Sequence, residues 1–297
     1  MSDFYVPGWV DDPAAVAEIT AFLPESDISV TPIGETVDLP KSCYLWDAAL
    51  KVLGGPIPPR NQGRVGSCVA FGTVRAIEYT MLAEIMAGDP EMFVALSVEP
   101  VYAGSRVEVG KGKISGDGSI GAWAATFVRD WGVIPATVIG THDLTDYSEG
   151  RCRQWGRSGC PDDLEVLARS HPVRAVTQVK TWQQAKQALV NGHGIAISSS
   201  QGFTMRRNEW GECQASGIWQ HCMCLSGYTT LDNGRELGRI DNSWGPDAHS
   251  GPLGPGNPGP EGFYADADVI NGMLAKGDAW VFATVDGFPR RSIPWLI

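Results

Sequence analysis

Residues 61–71, Asn-Gln-Gly-Arg-Val-Gly-Ser-Cys-Val-Ala-Phe, place a cysteine directly after a small-residue turn and open the most helix-like run in the chain. From Ala70, the apolar residues Val74, Ile77, Met81 and Ile85 recur along one helical stripe. Ser67 stands where an N-cap belongs and Gly88 where the helix should end. Cys68 therefore falls at a helix N-terminus, where unpaired backbone N–H groups and the helix dipole favour a thiolate over a thiol. Gln62 lies six residues upstream across a glycine-containing loop, so its amide can fold back beside the Cys68 backbone N–H. Two donors converging next to a nucleophile are what an oxyanion hole needs. A lone cysteine is more often a small buried hydrophobe, so the case for chemistry rests on what accompanies it.

Two later segments accompany it. Residues 217–223, Gly-Ile-Trp-Gln-His-Cys-Met, hold His221, and residues 239–245, Arg-Ile-Asp-Asn-Ser-Trp-Gly, hold Asn242. The first stretch resembles the Gln…Gly-Ser-Cys-x-Ala-Phe motif of papain-like cysteine peptidases. The second resembles the segment that carries the family's His, and the third is similar to its Asn-Ser-Trp-Gly motif. His221 follows Cys68 by 153 residues and Asn242 follows His221 by 21. Any one motif alone is weak; three in this order form a specific pattern.

The resemblance implies an α+β, papain-like two-lobed fold. A helical lobe would carry Cys68, a strand-rich, barrel-like lobe would carry His221 and Asn242, and the cleft would lie between them. It implies that His221 takes the Cys68 proton to give a thiolate–imidazolium pair. Asn242 would orient the imidazole, Gln62 and the Cys68 N–H would hold the oxyanion, and Trp244 would shield the His221–Asn242 bond. No cofactor or metal is called for. Ser119 and Ile120 match the positions where the family usually offers a Gly-Gly pair to the substrate backbone, so Ser119, Ile120 and Trp244 are the expected groove residues. The chain departs from the family at Val65 and Asp117, which replace both cysteines of the disulfide beside the nucleophile, and at Val69, usually Trp. The implied activity is that of a cysteine-type endopeptidase acting through an acyl-enzyme. Two alternatives stay open: a catalytically inactive binding or structural component, and a non-peptidase amide acyl transferase, which would pass an acyl group to an amine or act on a non-peptide amide.

Composition narrows the partners. A formal net charge of −11 argues against nucleic acid and anionic membrane surfaces. No apolar run reaches the length of a membrane span. The charge says little about a peptide; a polypeptide substrate is the partner that the resemblance implies. Residues 1–10 lack a basic n-region and an apolar h-region, which points to a cytoplasmic product; association with a virus particle is the alternative that also needs no signal. Seven cysteines make an odd count, and reduced thiols are the default in such a compartment.

Along the chain, residues 1–35 form an acidic N-terminal extension with a short helix after Pro13. It is expected to pack on the body, with covering the cleft or a free arm as alternatives. Residues 36–285 form the catalytic domain and residues 286–297 a C-terminal tail. Ile120, Trp123, Phe127 and Val128 mark a second helix closed by Gly132. Residues 141–172 read as polar and irregular. Thr181-Trp182-Gln183-Gln184 is a capping box. On a strand through His221, Cys222 and Cys224 share the opposite face, so a Cys-His-Cys metal cluster is disfavoured and both read as packed core. Residues 245–262 contain six Gly and five Pro among 18, the mark of a long loop beside the Asn242 motif. His249 within it reads as a surface residue and not a second base.

Overall fold

The computed structural model describes residues 6–22 and 39–290. The domain boundary placed near residue 36, and the tail beyond residue 290, fall outside the described residues. In chain order the elements are α1 (Pro13–Phe22), β1 (Ser42–Tyr44), α2 (Trp46–Leu53), α3 (Cys68–Ala87) and α4 (Glu99–Gly104), which runs into a π-helical turn (Ser105–Val109). Then follow α5 (Gly121–Asp130), β2 (Val138–Ile139), β3 (His142–Asp143), α6 (Glu149–Ser158) and α7 (Asp162–Ala168). The strand-rich part comprises β4 (Val173–Gln178), α8 (Trp182–Val190), β5 (Ile195–Phe203), β6 (Ala215–Thr230), β7 (Glu236–Asp241), β8 (Gly262–Asp266), α9 (Ala267–Leu274) and β9 (Ala279–Val285). Helices gather in one lobe. Strands gather in the other as an antiparallel sheet of order β4-β9-β5-β6-β7-β8, with β1 added to β6. This is the two-lobed α+β arrangement that the motifs implied.

The helix at Cys68 is the axis of the molecule. It begins at Cys68 and ends at Gly88, whose φ of 119° suits a residue without a Cβ. The apolar stripe understates its burial: every residue from Cys68 to Leu82 is buried. It packs directly on β6 at Gly72, where an added Cβ would lie 2.8 Å from Cys222 Sγ and 3.1 Å from the Met223 carbonyl oxygen. Burial on all sides takes in charge as well. Glu78 is fully buried between Arg60 and Arg75, and accepts from the Leu96 N–H at 3.0 Å. Arg75 also donates to the Pro58 carbonyl at 2.6 Å. A buried carboxylate persists only with such partners.

Two local readings are corrected. Ser67 does not cap α3; its Oγ lies 3.4 Å from the Val65 carbonyl and 3.1 Å from Tyr147 Oη instead. Residues 141–172 are not irregular, since α6 and α7 lie there. Ser148 caps α6 by accepting from Arg151 N at 3.3 Å, and Cys152, Trp155 and Gly156 are buried beneath it. The capping box at Thr181 forms: Thr181 Oγ1 accepts from Gln184 N at 3.2 Å, and Gln184 Oε1 accepts from Lys180 N at 2.9 Å.

Candidate active site

Cys68 opens α3 with its side chain fully buried. The backbone N–H groups of Cys222, Val69 and Cys68 itself pull the thiol down and so favour a thiolate. Burial outweighs them and pushes the thiol up to about 12. Gln62, also fully buried, is fixed from two sides: Oε1 accepts from Ser243 Oγ at 2.7 Å, and Nε2 donates to the Val65 carbonyl at 3.0 Å. An amide nitrogen carries two donors, so one N–H is spent on the loop and one remains for the site.

His221 sits on β6 opposite Ser199, and Asn242 stands immediately beyond the end of β7. The pairing of β6 with β7, Cys224 against Asp241, brings the two side chains together. His221 Nε2 lies 2.8 Å from Asn242 Oδ1. Ser243 N–H donates to the same oxygen at 2.8 Å. A backbone N–H can only donate, so the carboxamide oxygen must face this side and His221 must carry its proton on Nε2. Nδ1 is then the basic nitrogen. It is buried without a hydrogen-bond partner, so it makes no bond to Cys68 in this structure. Burial holds the imidazole down to about 4, against a smaller upward effect of Asn242. Burial thus favours the neutral form of both groups in this covered site, against the expected thiolate–imidazolium pair. Trp244, only 2% exposed, stacks on His221 with ring centroids 4.6 Å apart.

What buries the sulfur is the chain's own N-terminal segment. An added Cβ on Gly8 would lie 2.8 Å from Cys68 Sγ and 2.5 Å from the Gly66 carbonyl oxygen, so only glycine crosses here. The segment is held mainly by backbone. Val10 N donates to Ser119 O and Ser119 N to Gly8 O, both at 2.9 Å, while Gly8 N donates to Gln220 O at 2.9 Å. Trp9 is buried, and its Nε1 donates to Asp278 Oδ2 at 2.7 Å. Of the two expected groove positions, Ser119 supplies backbone pairing, but to this segment. Ile120 is the extended N-cap of α5, and its side chain is buried in the core cluster in this covered form.

The seven cysteines are all unpaired. At the lost disulfide, Asp117 Oδ2 accepts from Gly66 N at 3.2 Å, a polar tie across the same gap. Cys222 and Cys224 are buried in the sheet core. Among the described residues no group of His, Cys, Asp and Glu could hold a metal ion, and no helix is long and apolar enough to cross a membrane.

His249 is the residue that the sequence reading misplaced. It is 3% exposed, and its Nε2 lies 3.0 Å from Asn242 Nδ2. Its spacing, seven residues after Asn242, was visible, but the surrounding glycines and prolines signalled a solvent loop.

No family model matches the chain. A relative in the curated proteins is Cysteine proteinase 1 of Entamoeba histolytica, 26% identical over 198 residues; the match covers 65% of this chain and 57% of that relative. The chain thus spans little more than half the length of that protein. Among solved structures, the cysteine protease xylellain from Xylella fastidiosa aligns with a TM-score of 0.56 at 18% identity, covering 95% of this chain and 96% of that one. Procathepsin B S9 from Trypanosoma congolense aligns at 0.58 and 12% identity, with 95% and 87% covered. Digestive procathepsin L 3 of the Tenebrio molitor larval midgut aligns at 0.55 and 16% identity, with 85% and 72% covered. Three motifs in order, a helix that opens on Cys68, and a His221–Asn242 pair on adjoining strands agree with these likenesses: the chain has the papain-like fold and is similar to cysteine proteases.

Proposed function

We propose that the chain is a latent cysteine endopeptidase whose nucleophile is Cys68 and whose base is His221. The observation that carries this is the His221–Asn242 pair: it leaves Nδ1 unprotonated and unpartnered, while nearby backbone N–H groups favour the Cys68 thiolate. In the uncovered site, water restores solvation to both groups. The thiol then falls and the imidazole rises, each towards the charged form. Cys68 passes its proton to His221 Nδ1, and the thiolate attacks the peptide carbonyl. The free N–H of Gln62 and the Cys68 N–H hold the oxyanion. His221 then gives its proton to the departing amine, and water releases the acyl group. Asn242 keeps the ring oriented, and Trp244 keeps water from the bond between them. The backbone of Ser119, released by the N-terminal segment, is free to pair with substrate.

The buried, neutral pair also favours a second reading, in which the segment never leaves and the protein is an inactive binding component. One experiment separates the two. The full chain is treated with a thiol-directed epoxide before and after proteolytic removal of the N-terminal segment, and labelling of each cysteine is followed by mass spectrometry. The peptidase reading expects no label on Cys68 in the intact chain. After removal, it expects selective labelling of Cys68 near pH 6, abolished by Cys68→Ala and moved to alkaline pH by His221→Ala. Cys68 reacting no faster than the half-buried Cys43 after removal would leave the inactive reading standing.

A further inference from the structure

We propose that His249 is a positioning residue: its Nε2 accepts a hydrogen bond from Asn242 Nδ2 and so locks the carboxamide with its oxygen on His221. The inference rests on the reading of His221 as the base. Its starting point is the fixed donor already described, Ser243 N–H, which binds Asn242 Oδ1 at 2.8 Å. With the oxygen settled, Asn242 Nδ2 must point to the other side, and there it meets His249 Nε2 at 3.0 Å. An NH2 group can only donate, so that nitrogen must be unprotonated and His249 must carry its proton on Nδ1. That nitrogen lies 3.8 Å from Cys213 Sγ, and the ring has a backbone hydrogen bond to Met205. One run of bonds therefore fixes two tautomers, Nδ1–H on His249 and Nε2–H on His221, with Asn242 as the coupling between them.

The surroundings suit a neutral ring that only accepts at Nε2. His249 is buried against Phe263, with centroids 4.7 Å apart, and lies near-parallel to Trp244. The charged and titratable groups facing it are Arg207 and Arg239, which repel a second cation, together with His221 and Cys213. Arg207 donates to the His249 carbonyl at 2.7 Å and holds the residue in place. Burial, reinforced by these cations, pushes the imidazole down to about 3. A protonated His249 would set N–H against N–H at Asn242. A flipped Asn242 would do the same at Ser243, and would turn the basic nitrogen of His221 away from Cys68. The loop after the Asn-Ser-Trp-Gly motif thus has a task other than bordering the groove: it returns a ring to the back of Asn242.

The test uses the full chain with 15N-labelled histidine at pH 7, and reads the protonated nitrogen of each ring by long-range 1H–15N correlation. The wild-type protein is expected to give a single Nδ1–H form for His249 and a single Nε2–H form for His221. His249 found as Nε2–H, or as imidazolium, overturns the proposal. His249→Phe keeps the ring and removes the acceptor, leaving Ser243 N–H alone to hold the carboxamide; His221 should then show a minor Nδ1–H form beside the Nε2–H form. His249→Gln, whose side-chain oxygen can accept from Asn242, should restore the Nε2–H form. A folded His249→Phe protein in which His221 stays wholly Nε2–H also overturns the proposal. Should the Phe variant not fold, the wild-type tautomers and the Gln variant decide. None of these measurements needs a substrate or an uncovered cleft, so a chain without peptidase activity would still answer, and the two readings fail separately.

Discussion

The Cys68 sulfur is acted on in two directions. Backbone N–H groups at the head of α3 favour its anion, while burial beneath residues 7–9 favours the thiol and wins. The balance depends on one segment, and that segment hangs on one large side chain. Trp9→Ala should remove a buried ring and its bond to Asp278. Truncating a buried Trp costs about 3–5 kcal/mol, and here the loss falls on the covered form. The uncovered fraction should rise by about a hundredfold or more. Iodoacetamide labelling of Cys68 in the full chain should rise with it while Cys43 stays unchanged; equal labelling in both proteins would show that Trp9 does not hold the cover. Gln62 carries a double expectation. On the proposed peptidase mechanism, Gln62→Ala in the uncovered chain should lower kcat by a factor equivalent to about 3 kcal/mol with little change in KM, because the oxyanion exists only after attack. It should also lower the melting temperature, because the Ser243 and Val65 bonds go with it. A melting shift without a kcat effect would make Gln62 structural.

At the scale of elements, the loop of residues 245–262 changes character between sequence and structure. Rich in Gly and Pro, it reads as a mobile border, yet its carbonyls are tied down by donors from elsewhere. Arg207, only 5% exposed, donates to Pro260, Gly262 and His249 at 2.7–3.0 Å; Trp46 donates to Gly256 at 2.9 Å and Tyr264 to Pro255 at 2.7 Å. Prolines cannot donate from the backbone, so such a loop has an excess of acceptors, and a guanidinium with five donors can meet it. Arg207→Met should cost about 3 kcal/mol or more, since hydrogen bonds to charged groups contribute about 1.5–3 kcal/mol each. Urea denaturation of the folded variant would measure it, and a loss below 1 kcal/mol would mean that the loop holds without Arg207. Shortening the loop is then expected to disturb the site itself, not substrate preference alone. The meeting of His221 with Asn242 was legible, because both stand in short motifs on adjoining strands. So was α3, whose apolar stripe and terminal Gly88 are local signals. The place of His249 was not, because it depends on a guanidinium some forty residues away in sequence. Helix α6 was missed for a related reason: its segment, Glu-Gly-Arg-Cys-Arg-Gln-Trp-Gly-Arg-Ser, is too polar to show a stripe, and contacts such as Gly156 against Tyr102 hold it. The covering of Cys68 was one of three open alternatives, and backbone pairing to Ser119 and Gln220 leaves no side-chain pattern to read.

Across the whole molecule, burial of titratable groups sets how stability varies with pH. His221, His249, His171 and His193 all have imidazoles lowered by burial. From an ordinary value of 6.5, His221 falls to about 4 and His249 to about 3. Below pH 6.5 the unfolded chain protonates these rings while the folded protein does not, so the unfolded state binds more protons. Stability is therefore full above pH 6.5 and is lost as pH falls towards 4 and then 3. The buried carboxyls of Asp278 and Glu261 run the other way. Burial raises them, so their contribution is present at low pH and is lost as pH rises through their folded values. The two sets overlap in acid, and the net curve alone cannot assign the loss to histidine. His249→Phe separates them, because it keeps the ring volume and deletes one titration. Between pH 6.5 and 4 the wild-type protein should lose on the order of 3 kcal/mol more than the variant, at about 1.4 kcal/mol for each pH unit below the unfolded value. Urea denaturation at pH 7, 5.5 and 4 would read this as converging stabilities: the variant starts lower at pH 7, for want of the Asn242 bond, and approaches the wild type in acid. Parallel curves would mean that His249 titrates alike in the folded and unfolded chain, in conflict with its burial beside Arg207 and Arg239.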